Sequence, residues 1–127
     1  RHEILARSVW SAVEKWSEGG VIRINIDNEK NRSRSVTTFR ADGYDLSVLR
    51  SWLKETCGLE LGPPLGFNHR RYLDGNSVCR IAHMGHMNPF MILGLISTIE
   101  FGLHACKIPY KEGATIAAKE TISRYLD

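Results

Sequence analysis

The run at residues 77–106, "SVCRIAHMGHMNPFMILGLISTIEFGLHAC", constrains this chain more than any other. It is the most apolar stretch, and its pattern changes midway. Residues 78–82 are short, apolar and bounded by polar or glycine-containing segments, as a central strand is. Gly85 offers a turn. Asn88 then supplies an N-cap oxygen, and Pro89 takes the first helical position, where its missing N–H costs nothing. Ile92, Leu95, Ile96, Ile99 and Leu103 recur at helical spacing beyond it. The rest of the chain must be organised around this strand and helix.

Arg80 does not belong in that strand by composition. Alternation places it on the face of Val78 and Ala82, opposite Cys79, Ile81 and His83. A guanidinium keeps its charge, so burial requires an anionic partner. Two readings stand side by side. Arg80 lies on an open sheet face or pairs with a structural carboxylate; or it is a two-pronged receptor for a substrate carboxylate, a task that suits arginine geometry.

Taken in order, residues 2–16 form an amphipathic helix with Leu5, Val9, Ala12, Val13 and Trp16 on one stripe and a Glu3–Arg7 pair. Gly19-Gly20 ends it. Residues 21–26 alternate as a half-buried strand, with Ile22, Ile24 and Ile26 on one side. A polar, basic loop leads to a second, β-branched strand at 35–40. Asp45 caps a helix carrying Leu46, Leu49 and Leu53, and Gly58 stops it. A short strand is expected at 59–61, then a long irregular connection at 62–76. After the central strand and helix, a last helix spans 114–126. Ala114, Ala118, Thr121, Ile122 and Tyr125 face inward on it, and Glu120 pairs with Arg124. The order α-β-β-α-β-β-α-α predicts an α+β fold: a small mixed or mostly antiparallel sheet with helices packed mainly on one face.

The chain has 127 residues, enough for one domain with a real core. A net charge of +3 does not call for nucleic acid or membrane as partner. Cys57, Cys79 and Cys106 are scattered and odd in number, so a reducing compartment is the simpler inference. The helix after Pro89 is interrupted by Ser97, Thr98 and Glu100 and is a core helix, not a membrane span. The chain opens at Arg1 inside a helical pattern, which is what a piece of something longer would do.

Other motifs have bland readings. Cys79, His83 and His86 lack the further ligand that a metal requires, and a turn histidine bonded to backbone explains the pair. The "GPPLGFN" run at 62–68 resembles a phosphate loop, but Pro63 and Pro64 have no N–H to offer. Arg23, Lys30, Arg32 and Arg34, and the tip at 69–71, are basic without stacking aromatics or a groove-reading helix, as solvated loops are. No catalytic set is complete, and no lysine sits in a recognisable Schiff-base context.

The run "VCRIAHMGHMNPFMILGLISTIEFGL" resembles the C-terminal segment of class V pyridoxal-phosphate aminotransferases, above all the alanine–glyoxylate and serine–glyoxylate group. "RHEILARSVWSAVEKW" is similar to the helix opening their small domain, and "SRSVTTFRADGYD" to their Thr-Val-Thr strand and turn. "LELGPPLG" falls where they have a Gly-Gly-Leu-Gly loop, with prolines in place of glycines. The resemblance implies the small C-terminal domain of such an enzyme, residues 1–127. Arg80 would bind the substrate carboxylate, and His83 would stand near the site mouth. It implies pyridoxal phosphate in the full-length enzyme and no cofactor site, catalytic residue or metal site in this chain. The donor would be a small amino acid such as alanine or serine, the acceptor a 2-oxo acid such as glyoxylate. The implied partners are the enzyme's own large domain and a second copy in a homodimer, in the cytoplasm. Alone, the chain would be inactive. A free-standing α+β module that binds an acidic metabolite, or docks a partner, remains the alternative.

Overall fold

The computed structural model describes residues 2–62, 75–83 and 87–126. Helix α1 (His2–Ser17) buries Leu5, Val9, Ala12, Val13 and Trp16 completely, as an apolar stripe facing a core should. Glu3 and Arg7 pair on its outer side at 3.3 Å. Strand β1 (Ile22–Ile24) follows, and the chain then leaves the sheet through a 3-10 turn at Glu29–Asn31. It returns as β2 (Val36–Ala41). Helix α2 (Leu46–Cys57) starts on the Asp45 carboxylate, which accepts from Ser47 N at 2.9 Å. It ends at Gly58, whose left-handed backbone suits glycine. Strand β3 (Val78–Ala82) leads to α3 (Pro89–Ala105), capped by Asn88 Oδ1 accepting from Met91 N at 2.9 Å. Helix α4 (Ala114–Ser123) completes the domain.

The three strands run β1-β2-β3, each antiparallel to its neighbour. Ile24 pairs with Phe39, Phe39 with Cys79, and Thr37 with Ile81. These residues point to the helices and are buried. Their neighbours Arg23, Thr38, Arg40 and Arg80 point the other way. Trp16 and Phe39 meet in the core with ring centroids 6.1 Å apart, and Trp16 Nε1 donates to Glu100 of α3 at 2.9 Å. The Ser11 and Thr121 hydroxyls join α1 to α4 at 2.7 Å. The expected mixed or antiparallel sheet is thus antiparallel.

Three local expectations fail. Residues 59–61 form no strand; the segment touches the sheet only at Gly62, which bridges to Arg80. β1 stops at Ile24, because Ile26 peels away, 40% exposed, and its carbonyl accepts from Arg32 Nε. α4 stops at Ser123, Tyr125 is exposed, and Arg124 meets Glu120 only through the backbone. The Pro63-Pro64 turn, the basic tip at 69–71, Gly85 and His86 lie outside the described residues.

Candidate functional site

Arg80 sits in the middle of β3, opposite Thr38 of β2 on one side and Gly62 on the other. Its backbone N–H and C=O both bond to Gly62, while Thr38 faces it as a non-hydrogen-bonded partner, and its side chain rises from the face opposite the helices. The residue is half-buried. Its Nε is fully enclosed and has no hydrogen-bond partner. Among the described residues no carboxylate comes within 4 Å of its guanidinium.

A cavity of about 220 Å³ opens beside it. Trp10, Ile24, Ile26 and Val36 form the apolar wall, and Ser33, Thr37 and Thr38 supply hydroxyls. Arg32 and Arg80 are the charged groups among the described residues that line it, and none of those residues is a carboxylate. The cavity exists because β1 ends early and the loop after it bows outward. Arg32 holds that bow in place: Nε donates to Ile26 O at 2.7 Å, Nη2 to Asp27 O at 3.0 Å and Nη1 to Glu14 at 3.2 Å.

The basic loop read as solvated is more ordered than that. Arg7, Arg32 and Arg34 stand 5.7, 5.0 and 5.1 Å from the Trp10 ring. Cations over an indole face are attracted by its quadrupole. Glu3 answers Arg34 at 3.2 Å, and Glu29 answers Arg7 at 3.6 Å. This cluster is locally neutralised, so it offers a polyanion little.

His83 does not reach the cavity. It is fully buried on the helix side, where Nε2 shares a 2.8 Å hydrogen bond with Thr37 Oγ1. Its Nδ1 is enclosed without a partner, and burial pushes its pKa down to about 4. It therefore stands one residue behind the cavity, through Thr37. Cys79 is buried on the same face, and burial pushes its thiol up to about 11. Cys57 is exposed and Cys106 half-buried, and none of the three is bonded to another. Among the described residues no three His, Cys, Asp or Glu converge as metal ligands would.

A second, more apolar groove of about 370 Å³ runs between residues 57–61 and the first half of α3, past Met87, Met91 and Leu95. Among the described residues no lysine lines it or the Arg80 cavity. Thr38 and Trp10 escaped the sequence reading, which took Arg32 only as part of a basic solvated loop and Gly62 only as part of a phosphate-loop candidate. Thr38 was accessible through strand alternation. Gly62, a glycine at a strand edge, is the usual mark of close backbone approach.

A three-stranded antiparallel sheet, with helices on one face and Arg23, Arg40 and Arg80 on the other, defines an α+β small domain. Two solved structures share the fold in particular. One is ureidoglycine–glyoxylate aminotransferase from Bacillus subtilis, with a TM-score of 0.77 and 18% identity over 96% of this chain. The other is pyridoxamine–pyruvate aminotransferase from Mesorhizobium loti, with a TM-score of 0.77 and 19% identity over 98% of this chain. The chain spans 30% of the length of each. No family model matches the sequence, and no curated protein is similar to it.

Proposed function

We propose that this chain is the small domain of a class V, pyridoxal-phosphate-dependent aminotransferase, and that Arg80 receives the substrate's α-carboxylate. One observation carries the role: a half-buried guanidinium on a rigid strand, facing away from the helices, with no carboxylate near it among the described residues. A structural arginine at that depth would have its partner in place. A receptor waits for the substrate to bring one. Its contribution is orientation, since a carboxylate gripped by two parallel N–H groups fixes the rest of a small molecule. His83 steadies the cavity wall through Thr37 and does not touch substrate.

The donor is then a small amino acid of the alanine or serine type, and the acceptor a 2-oxo acid such as glyoxylate. The names of the two structural relatives, with glyoxylate in one and pyruvate in the other, agree with that class. The cofactor and the groups that hold it belong to the remainder of the enzyme, which works as a homodimer in the cytoplasm. The chain alone has no transaminase activity.

The test is Arg80→Lys in an enzyme carrying this domain, with kinetics and thermal unfolding measured on the same protein. Lysine keeps the charge and loses the fork. KM for the amino donor should rise and kcat/KM fall, by about 1.5–3 kcal/mol or roughly ten- to hundredfold. Thermal stability should change little. Unchanged kinetics with a large loss of stability would end the carboxylate role.

A further inference from the structure

The segment leaving α2 meets the sheet at one residue. Gly62 N donates to Arg80 O at 2.9 Å, and Arg80 N donates to Gly62 O at 3.1 Å. This double exchange draws the two backbones together on the edge of β3. A side-chain carbon at position 62 would stand 3.0 Å from Arg80 Nε, 3.2 Å from Nη2 and 3.2 Å from Arg80 Cβ. Non-bonded carbons settle at about 3.5–4.0 Å, so such a carbon and the guanidinium cannot both keep their places.

Backbone conformation does not explain a glycine here. Gly20, Gly43, Gly58 and Gly113 have positive φ, and Gly62 does not. What position 62 provides is room. Nor does a hydrogen bond fix the Arg80 side chain at its Nε, which is enclosed and without a partner. The bare backbone of Gly62 is one boundary on where the guanidinium lies.

We infer that Gly62 is the positioning residue for Arg80: its missing side chain is the space the guanidinium occupies, and it sets the angle at which that group meets a carboxylate. The link to substrate rests on the proposed role of Arg80; the steric link does not. In the full-length enzyme, Gly62→Ala should therefore act like a small misplacement of Arg80, raising KM for the amino donor without touching any reacting atom.

The experiment separates the two claims. The 15N-labelled chain gives an Arg80 Nε–Hε resonance, assigned by its loss in Arg80→Lys. In Gly62→Ala that resonance should move while the backbone amides of Thr38 and Ile81 hold theirs. An Arg80 resonance that stays put in a folded Gly62→Ala chain overturns the inference. If Gly62→Ala unfolds, the comparison is made in an Arg80→Ala background. Removing the guanidinium should recover most of the lost stability, and an equal loss in both backgrounds overturns the inference. Acetate added to the unmodified chain tests the other claim: a resonance that ignores it counts against carboxylate binding, while the Gly62 result is read from the variants alone.

Discussion

A neutral imidazole fits inside a protein where an imidazolium does not, and His83 shows the consequence. It has no exposed surface, one hydrogen bond to Thr37 and an Nδ1 without a partner. Burial pushes its pKa from 6.5 to about 4. Below pH 6.5 the unfolded chain takes up a proton that the folded chain refuses. The stability tied to His83 is therefore complete above that pH and lost as pH falls toward 4, by about 3 kcal/mol at most. His83→Gln can keep the Thr37 bond and cannot titrate. Urea unfolding between pH 7 and 4 should show a steeper decline for the unmodified chain than for the variant; parallel curves would show that His83 is already solvated. The sequence put this residue on the face of Cys79 and Ile81, and the family resemblance implied a place near the site mouth. Burial depends on which face the helices cover, and that is a tertiary fact. Arg80 was legible for the opposite reason: a charge in the middle of an apolar strand is conspicuous wherever the helices lie.

Helix α3 contains two glycines with opposite surroundings. A side-chain carbon at Gly102 would stand 2.6 Å from Leu49 Cδ1 and 2.9 Å from Leu53 Cδ2, where α3 crosses α2. Both leucines are fully buried and have little room to yield. At Gly94 nothing lies within 4 Å. Alanine has the better helix propensity by about 1 kcal/mol at either position, so packing decides the sign. Gly94→Ala should stabilise the domain by up to about 1 kcal/mol. Gly102→Ala should destabilise it, since overpacking typically costs about 1–3 kcal/mol against that gain. Chemical denaturation of the two variants side by side checks both, and a common sign would contradict the described crossing. At this scale the helices were readable because their caps are local: Asp45, Gly58, Asn88 and Pro89 each mark the boundary they occupy. The strand expected at 59–61 was not, because alternation reports a strand's pattern and not its partner. Leu61 is buried as the pattern requires, yet only Gly62 pairs. Nor did composition set the order β1-β2-β3, which arises from long-range pairing.

The described helices pack on one face of the sheet, and the described residues leave the outer side of α3 uncovered. That helix is apolar nearly all round, a composition that belongs to a helix buried on every side. Ile92, Ile96, Ile99 and Leu103 satisfy it inward. Outward, Phe90 is 71% and Phe101 66% exposed, with Met91 also open to solvent. Phe90, Ser97 and Phe101 are spaced to share one side of the helix. Single exposed apolar residues need no explanation, but two phenylalanines on one side of a core-grade helix do. In the solved relatives the matched part is 30% of a longer chain. Under the proposed function, part of that remainder would cover the outer side of α3. The chain by itself should then cover the side with another copy. Sedimentation velocity over rising concentration should show reversible association. Phe90→Glu with Phe101→Glu should weaken it while the far-ultraviolet circular dichroism of the helices stays the same. Both side chains already face solvent, so the substitutions remove little core packing. A chain that stays monomeric at high concentration would show that the exposed side of α3 needs no cover, and would weaken the case for a domain that works only as part of a larger enzyme.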